Sequence, residues 1–159
     1  MMENRSFDHM LGHMTLDDPR IDLEGLKSGD MESYANDYLG LTYPVYPLSV
    51  DQELEADLPH EYDAVATQMQ WKEIQNVFTM HGFAEAYIKA NSKIDPKNLQ
   101  CIPMGYFEKE KVPITNFFAQ NFAVCDHWFS PLPTSTQPNR TMALCGDSPI
   151  FRTQTQLIN

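Results

Sequence analysis

Residues 113–145, PITNFFAQNFAVCDHWFSPLPTSTQPNRTMALC, contain the pattern that decides the fold class. A helix is predicted to begin at Pro113, because apolar side chains follow at the spacing of one helical face, at Ile114, Phe117, Phe118 and Phe122. The next residues, AVCDHWF, are typical of a buried strand. A Pro-rich loop then leads into a second helix that contains TMALC. The order helix, strand, loop, helix predicts an α/β layered fold with active-site loops at the strand ends.

The chain before residue 113 is predicted to be rich in helix. Residues 6–12 fit a short helix that Asn4 or Ser6 caps. Apolar spacing over residues 58–80 predicts two helices or one interrupted helix, and residues 83–90 predict another short one. The large aromatic side chains that follow residue 113 are expected in the core, namely Phe117, Phe118, Phe122, Trp128 and Phe129.

Residues 13–55 differ from the rest in composition. They are acidic and are interrupted by several prolines and glycines. This pattern predicts a long, irregular insertion that lies on the surface, and long loops of that kind often serve binding.

Composition also limits the classes of function. The 159 residues suit one domain, and 11 Lys and Arg against 22 Asp and Glu give a formal net charge of −11. Such a charge argues against a nucleic acid partner, and an anionic substrate would need a metal ion or a few well-placed arginines. No apolar run is long enough to span a bilayer. The three cysteines are too few for a disulfide framework or zinc cluster and are interpreted as buried free thiols.

The opening residues, MMENRSFDHMLG, concentrate polar functional groups at the start of the chain. Glu3 and Asn4 are adjacent oxygen donors, a ligand type that divalent cations accept. Taken alone, the dipeptide is better explained as a solvated carboxylate beside a helix cap. The complete string changes that interpretation, because a second long motif accompanies it.

MMENRSFDHMLG resembles the opening signature of the phosphoesterase family that includes the non-specific phospholipases C and certain acid phosphatases. CDHWFSPLPTSTQPNR, residues 125–140, resembles the second signature of that family, in which a Pro-rich loop leads to Thr followed by x-Pro-Asn-Arg. Between them, LPHEYDA from Leu58 and HGFAEAY from His81 resemble weaker landmarks. Two long motifs in the right order identify the chain as similar to the N-terminal portion of this family.

The resemblance implies a fold of the alkaline-phosphatase-like group and a metal-dependent site. It implies that Glu3 and Asn4 coordinate a divalent metal ion, and that Thr136 both binds this metal and attacks phosphorus. In the family the remaining ligands are an acidic pair from a later segment, for which residues 1–159 offer no candidate. We therefore expect the chain to be the N-terminal portion of one catalytic domain, truncated at both ends.

The chemistry of threonine agrees with this implication. An unassisted hydroxyl is a poor nucleophile, and coordination to a divalent cation makes its alkoxide accessible near neutral pH. Pro138 is typical of a first helical turn, which predicts that Thr136 lies just before a helix N-terminus whose N–H groups can bind phosphoryl oxygens. Ser135 is the rival nucleophile, and its expected task is to cap this helix.

Three further residues are candidates for substrate binding. Arg140 can hold two phosphoryl oxygens with its planar guanidinium group, and Asn139 can donate to the same phosphoryl group. Surface Arg and turn Asn are the alternatives for these two. His60 can bind metal or protonate the leaving group, although a lone histidine is better explained as one bonded to backbone at a helix start.

These observations predict a hydrolase of phosphoric esters with a metal-activated threonine nucleophile. The substrate is a phosphate ester, and both phospholipids and small phosphomonoesters fit the family. The alternative hypothesis is a non-catalytic fragment that retains half of the site and binds phosphate esters or metal weakly. The sequence leaves the identity of the metal and the cellular compartment open.

Overall fold

The chain forms short helices and small sheets in a computed structural model, which describes residues 5–49, 58–97 and 100–150. The α-helices are α1 (Phe7–Leu11), α2 (His13–Asp17), α3 (Tyr62–Met69), α4 (Phe83–Ala90), α5 (Pro113–Asn121) and α6 (Thr136–Cys145). The strands are β1 (Asn36–Tyr38), β2 (Leu41–Tyr43), β3 (Tyr46–Pro47), β4 (Trp71–Lys72), β5 (Val77–Phe78) and β6 (Gly105–Tyr106). Two 3-10 helices cover Ser28–Tyr34 and Ile102–Met104. Among these helices none has the length and apolar character that crossing a bilayer requires.

Pairs of strands make up the sheets of the described ranges. β1 and β2 form an antiparallel hairpin, as do β4 and β5. β3 and β6 pair in parallel, so that Tyr46 lies opposite Gly105. Helices together with small sheets confirm the coarse α/β class, and the alkaline-phosphatase-like layering stays a prediction.

The helix α4 lies at the centre of the core. It follows the predicted bounds of residues 83–90, and its Ala84 and Tyr87 side chains are completely buried. Its Ile88 is also buried, and around the helix pack Tyr43 from β2 and Cys101 and Met104 from the segment near residue 101. α3 lies against α4, and the Gly82 N–H before α4 donates to the Gln68 carbonyl oxygen near the end of α3 at 3.1 Å.

The cysteines only partly follow the expectation of buried thiols. Cys101 is buried, and burial raises the pKa of its thiol to about 12, which keeps it protonated and unreactive. Cys125 and Cys145 are exposed, so the prediction of burial was wrong for these two.

The helical prediction for residues 58–80 is confirmed by α3 in its first part but was wrong after α3, where the segment forms a hairpin. α3 ends where Gln70 adopts a left-handed φ of 47°, and Asn76 takes a φ of 53° in the turn between β4 and β5. Trp71 and Phe78 face each other across the hairpin with ring centroids 4.7 Å apart.

The strand predicted for AVCDHWF was also wrong, since residues 123–129 form a turn and irregular backbone. No strand of the described ranges pairs with this segment, and the Asp126 carboxylate accepts a hydrogen bond from the Glu24 backbone N–H at 2.8 Å. The aromatic side chains expected in the core are exposed within the described chain, namely Phe117, Phe118, Phe122, Trp128 and Phe129. The helix predicted after Pro113 is nevertheless confirmed as α5.

The stretch from residue 13 to residue 49 is more ordered than its composition suggests. It contains α2 and the β1–β2 hairpin, and it buries Leu26, Tyr43 and Leu48. Residues 50–55, the end of the predicted insertion, lie outside the described residues. The described part therefore belongs to the core as well as to the surface.

Asn36 provides the N-terminal cap of α4 from a distant part of the chain. Its Oδ1 accepts from the backbone N–H groups of Phe83 at 2.7 Å and Ala84 at 3.1 Å, and the side chain is 1% exposed. We expect Asn36→Ala to lower the free energy of unfolding by about 2–3 kcal/mol, because a buried and a half-buried N–H donor lose their acceptor. Urea denaturation measures this loss. Asn121→Ala, which removes an exposed amide, is the control, and equal losses would contradict the capping role.

Candidate active site

The N-terminus of α6 carries the predicted nucleophile. The helix predicted to contain TMALC, residues 141–145, is α6, and it begins five residues earlier, at Thr136. Pro138 is buried in its first turn. The half-buried Thr136 thus lies at a helix N-terminus, the end of a helix whose partial positive charge favours an anion. Pro138 lies in the first turn as expected, but Thr136 is the first residue of the helix and not the residue before it.

Asn139 organises the Pro-rich loop that precedes this helix. Its Nδ2 lies 3.1 Å from the Leu132 carbonyl oxygen and 3.0 Å from those of Thr134 and Ser135, while its Oδ1 accepts from the Leu132 N–H at 3.0 Å. The amide therefore holds the loop against the first turn of α6. The predicted donation from Asn139 to a phosphoryl oxygen stays a prediction, and the structure gives the residue a task in shaping the loop.

Ser135 occupies the N-cap position of α6 but does not cap the helix with its side chain. Its Oγ donates to Glu61 Oε2 at 3.1 Å, and the residue is 4% exposed. The predicted capping by Ser135 was therefore wrong, because its hydroxyl is directed to another part of the chain. Glu61 immediately precedes α3, so this hydrogen bond joins the N-termini of α3 and α6.

His60 lies next to Glu61 at the start of α3. Its Nδ1 is 2.8 Å from the Leu58 carbonyl oxygen, and since a carbonyl only accepts, this nitrogen carries the proton. In the neutral ring Nε2 is then the nitrogen with a lone pair. Gln68 Nε2 donates to the Pro59 carbonyl oxygen at 2.6 Å and fixes the same segment to α3. The alternative of a histidine bonded to backbone is observed, and it leaves a role for Nε2 in chemistry untested.

Of the remaining predicted site residues, the structure describes Arg140 but neither Glu3 nor Asn4. Arg140 is exposed on the second turn of α6. Glu3 and Asn4 lie outside the described residues, so the predicted metal ligation stays a prediction. Within the described ranges no group of three or more His, Cys, Asp or Glu side chains is arranged to hold a metal ion.

The residues just after Asn4 form a connected set that the sequence did not reveal. Ser6 caps α1 by accepting from the His9 N–H at 3.1 Å. His9 is buried, donates from Nδ1 to the Gly105 carbonyl oxygen at 2.9 Å, and accepts at Nε2 from Arg5 Nη1 at 3.1 Å. Burial and the Arg5 charge lower the pKa of His9 and favour its neutral ring, against the opposite effect of the Gly105 bond. The four-residue spacing of Arg5 and His9 was the only sequence signal.

A cavity of about 760 Å³ opens beside α1. Arg5 and Asp8 line it together with aromatic side chains that include Trp128 and Phe129. Burial, and secondarily Glu24, raise the pKa of the Asp8 carboxyl. Neither Thr136 nor His60 is among the lining residues, so the cavity and the start of α6 are separate features of the described chain.

Comparison with known proteins gives consistent matches. The model of the Phosphoesterase family matches residues 1–155. The chain is 35% identical over 152 residues to non-specific phospholipase C3 of Arabidopsis thaliana, covering 88% of this chain and 27% of that protein. It is 28% identical over 153 residues to hemolytic phospholipase C of Pseudomonas aeruginosa, covering 92% of this chain and 18% of that protein. The chain thus spans about a quarter or less of the length of these relatives.

Proposed function

Because the chain belongs to the phosphoesterase family, we propose that it acts in the hydrolysis of phosphoric esters with Thr136 as nucleophile. The observation that carries the proposal is the position of Thr136 as first residue of α6, joined through its neighbour Ser135 to the segment of His60. This arrangement provides a hydroxyl, a helix N-terminus and an imidazole from separate parts of the sequence. Each has a task in phosphoryl transfer.

In the proposed reaction the Thr136 hydroxyl loses its proton to solvent, its oxygen forms a bond to phosphorus, and the bond between phosphorus and the ester oxygen breaks. The N–H groups of the first turn of α6 stabilise the negative charge on the phosphoryl oxygens, and Arg140 adds a positive charge from the next turn. His60 Nε2 is assigned to the proton that the leaving alcohol takes up, which requires the protonated ring. Water then hydrolyses the phospho-threonine and restores the hydroxyl.

The donor types of Glu3, Asn4 and Thr136 suit a divalent cation. They are a carboxylate, an amide carbonyl and a hydroxyl, all oxygen donors that hard cations accept. When bound, such a cation would lower the pKa of the Thr136 hydroxyl and neutralise part of the phosphate charge. The residues of this chain supply the rest of the proposed mechanism.

The proposed substrates are phosphate esters, with phospholipids as the first class to test. The names of the two relatives describe them as phospholipases C, which favours a phosphodiester. Comparing the turnover of a phosphodiester with that of a phosphomonoester of the same alcohol shows which of the two substrate classes is preferred. p-Nitrophenyl phosphorylcholine and p-nitrophenyl phosphate are suitable substrates.

Removal of metal tests the proposal directly. We expect dialysis against EDTA to lower the turnover of the preferred ester by at least about a hundredfold, because the Thr136 hydroxyl then keeps a high pKa. Adding back Mg²⁺, Ca²⁺, Mn²⁺ or Zn²⁺ separately identifies the ion that restores the rate. An unchanged rate after chelation would contradict metal activation.

A second candidate, binding without turnover, is favoured by the short span of the chain relative to its relatives. It predicts weak calorimetric binding of divalent cations and no product from either ester. Turnover by the metal-loaded protein would exclude it.

A further inference from the structure

We propose that Glu61 is a positioning residue of the site: its carboxylate holds Ser135 and thereby sets the position of Thr136 relative to His60. The inference rests on the proposed function of Thr136. It assigns to Glu61 and Ser135 a joint task that neither the motifs nor the comparisons indicate.

The contact joins two segments that each have their own internal support. On one side, Glu61 is fixed by α3, because its carbonyl oxygen accepts the Val65 N–H at 2.9 Å in the first helical turn. On the other side, the four contacts of the Asn139 amide hold residues 132–135 against α6. Each segment is held by its own hydrogen bonds, so the bond between Ser135 and Glu61 fixes the position of one ordered segment relative to the other.

The hydrogen bond joins two residues that are 74 positions apart in the sequence, and each of them is adjacent to a residue with a proposed chemical role. Glu61 is the direct neighbour of His60, and Ser135 is the direct neighbour of Thr136. A change in the separation of Glu61 and Ser135 therefore moves the imidazole and the hydroxyl relative to one another. Displacements near 1 Å between reacting groups can change rates by about a hundredfold.

The burial of Ser135 excludes the rival assignment of this pair as nucleophile and base. At 4% exposure the Ser135 hydroxyl is closed off from a substrate in solution, whereas the adjacent Thr136 is half-buried. A serine that donates to a carboxylate without access to substrate acts as a structural donor. The exposed Glu61 side chain makes a bond of modest strength, so we expect an effect near tenfold.

Steady-state kinetics on four variants tests the assignment. We expect Glu61→Ala and Ser135→Ala each to lower kcat about tenfold with KM within about twofold of the wild-type value. Glu61→Gln keeps an acceptor oxygen for Ser135 and is expected to retain kcat within about threefold. The double variant Glu61→Ala with Ser135→Ala should lose no more than either single one, because both remove the same bond.

Glu73→Ala is the matched control, since Glu73 lies exposed in the turn between β4 and β5. Additive losses in the double variant, or a loss in Glu61→Gln as large as in Glu61→Ala, would overturn the positioning role. The second pattern would indicate that the charge of Glu61 acts in the chemistry itself.

A measurement that needs no turnover separates this inference from the proposed function. Hydrogen exchange at the backbone amides of residues 134–137 should become faster in Glu61→Ala and stay unchanged in Glu61→Gln and Glu73→Ala. Wild-type protein that hydrolyses no ester would refute the proposed function but leave this comparison decisive. Equal exchange in all four proteins would refute the contact.

Discussion

Thr136→Ala is expected to lower kcat for ester hydrolysis by at least about a thousandfold, because no other group replaces a lost nucleophile. The first turn of α6 would keep its N–H groups, so KM should change by less than about fivefold. The free energy of unfolding should change by about 1 kcal/mol or less, because Thr136 is only half-buried. Initial rates at saturating ester and a urea denaturation curve measure the two effects.

Two further variants locate the hydroxyl that reacts. Thr136→Ser keeps a hydroxyl at the start of α6 and should retain most of the activity. Ser135→Ala should lose only about tenfold, since its hydroxyl serves the contact with Glu61. Acid quenching during turnover, followed by peptide mass spectrometry, should find phosphate on Thr136. Full activity of Thr136→Ala would refute the mechanism, and phosphate on Ser135 would exchange the two roles.

Helices whose starts contain a local signal could be predicted from the sequence. Pro113 opens α5 and Ser6 caps α1, and both depend on chemistry within one turn of the residue itself. The start of α6 was inferred from Pro138 for the same reason. Such signals need no knowledge of the tertiary structure.

The hairpin after α3 shows where apolar spacing is ambiguous. Trp71, Ile74 and Phe78 fit one face of a helix, yet Ile74 is 98% exposed in the turn of the hairpin. The backbone at Gln70 and Asn76 decides the outcome, since a left-handed residue stops a helix and permits a tight turn. Neither residue type requires that conformation, so the sequence pattern alone favoured the wrong element.

Long-range hydrogen bonds explain why the site could be predicted only in part. The family resemblance indicated Thr136 and the chemistry of an imidazole at a helix start indicated His60, but the bond from Ser135 to Glu61 depends on how α3 and α6 are packed. The cap that Asn36 gives to α4 crosses 47 positions in the same way. Local periodicity contains no information on such pairs. The sequence therefore provided candidates for the reactive groups, and the structure was needed to find the hydrogen bonds that hold their segments.

Gly82→Ala should give the largest loss of stability among the substitutions considered, about 3 kcal/mol or more. Gly82 is buried between the end of α3 and the start of α4, and its N–H donates to the Gln68 carbonyl oxygen at 3.1 Å. A methyl group there would overlap the Thr67 carbonyl oxygen and lie 2.7 Å from its carbon. The obstacle is backbone of α3, which cannot rotate away as a side chain could.

The φ of Gly82 is −101°, so alanine would meet no conformational penalty and the expected loss is steric. Gly29→Ala is the control, because nothing lies within 4 Å of the added methyl group and its φ is ordinary. It should change the free energy of unfolding by about 0.5 kcal/mol or less. Urea denaturation of both variants measures the difference. Equal denaturation midpoints for the two variants would show that α3 and α4 can move apart without a loss of stability. A large loss at Gly82 alone would establish that the backbone at the end of α3 packs too closely against the start of α4 to admit a methyl group.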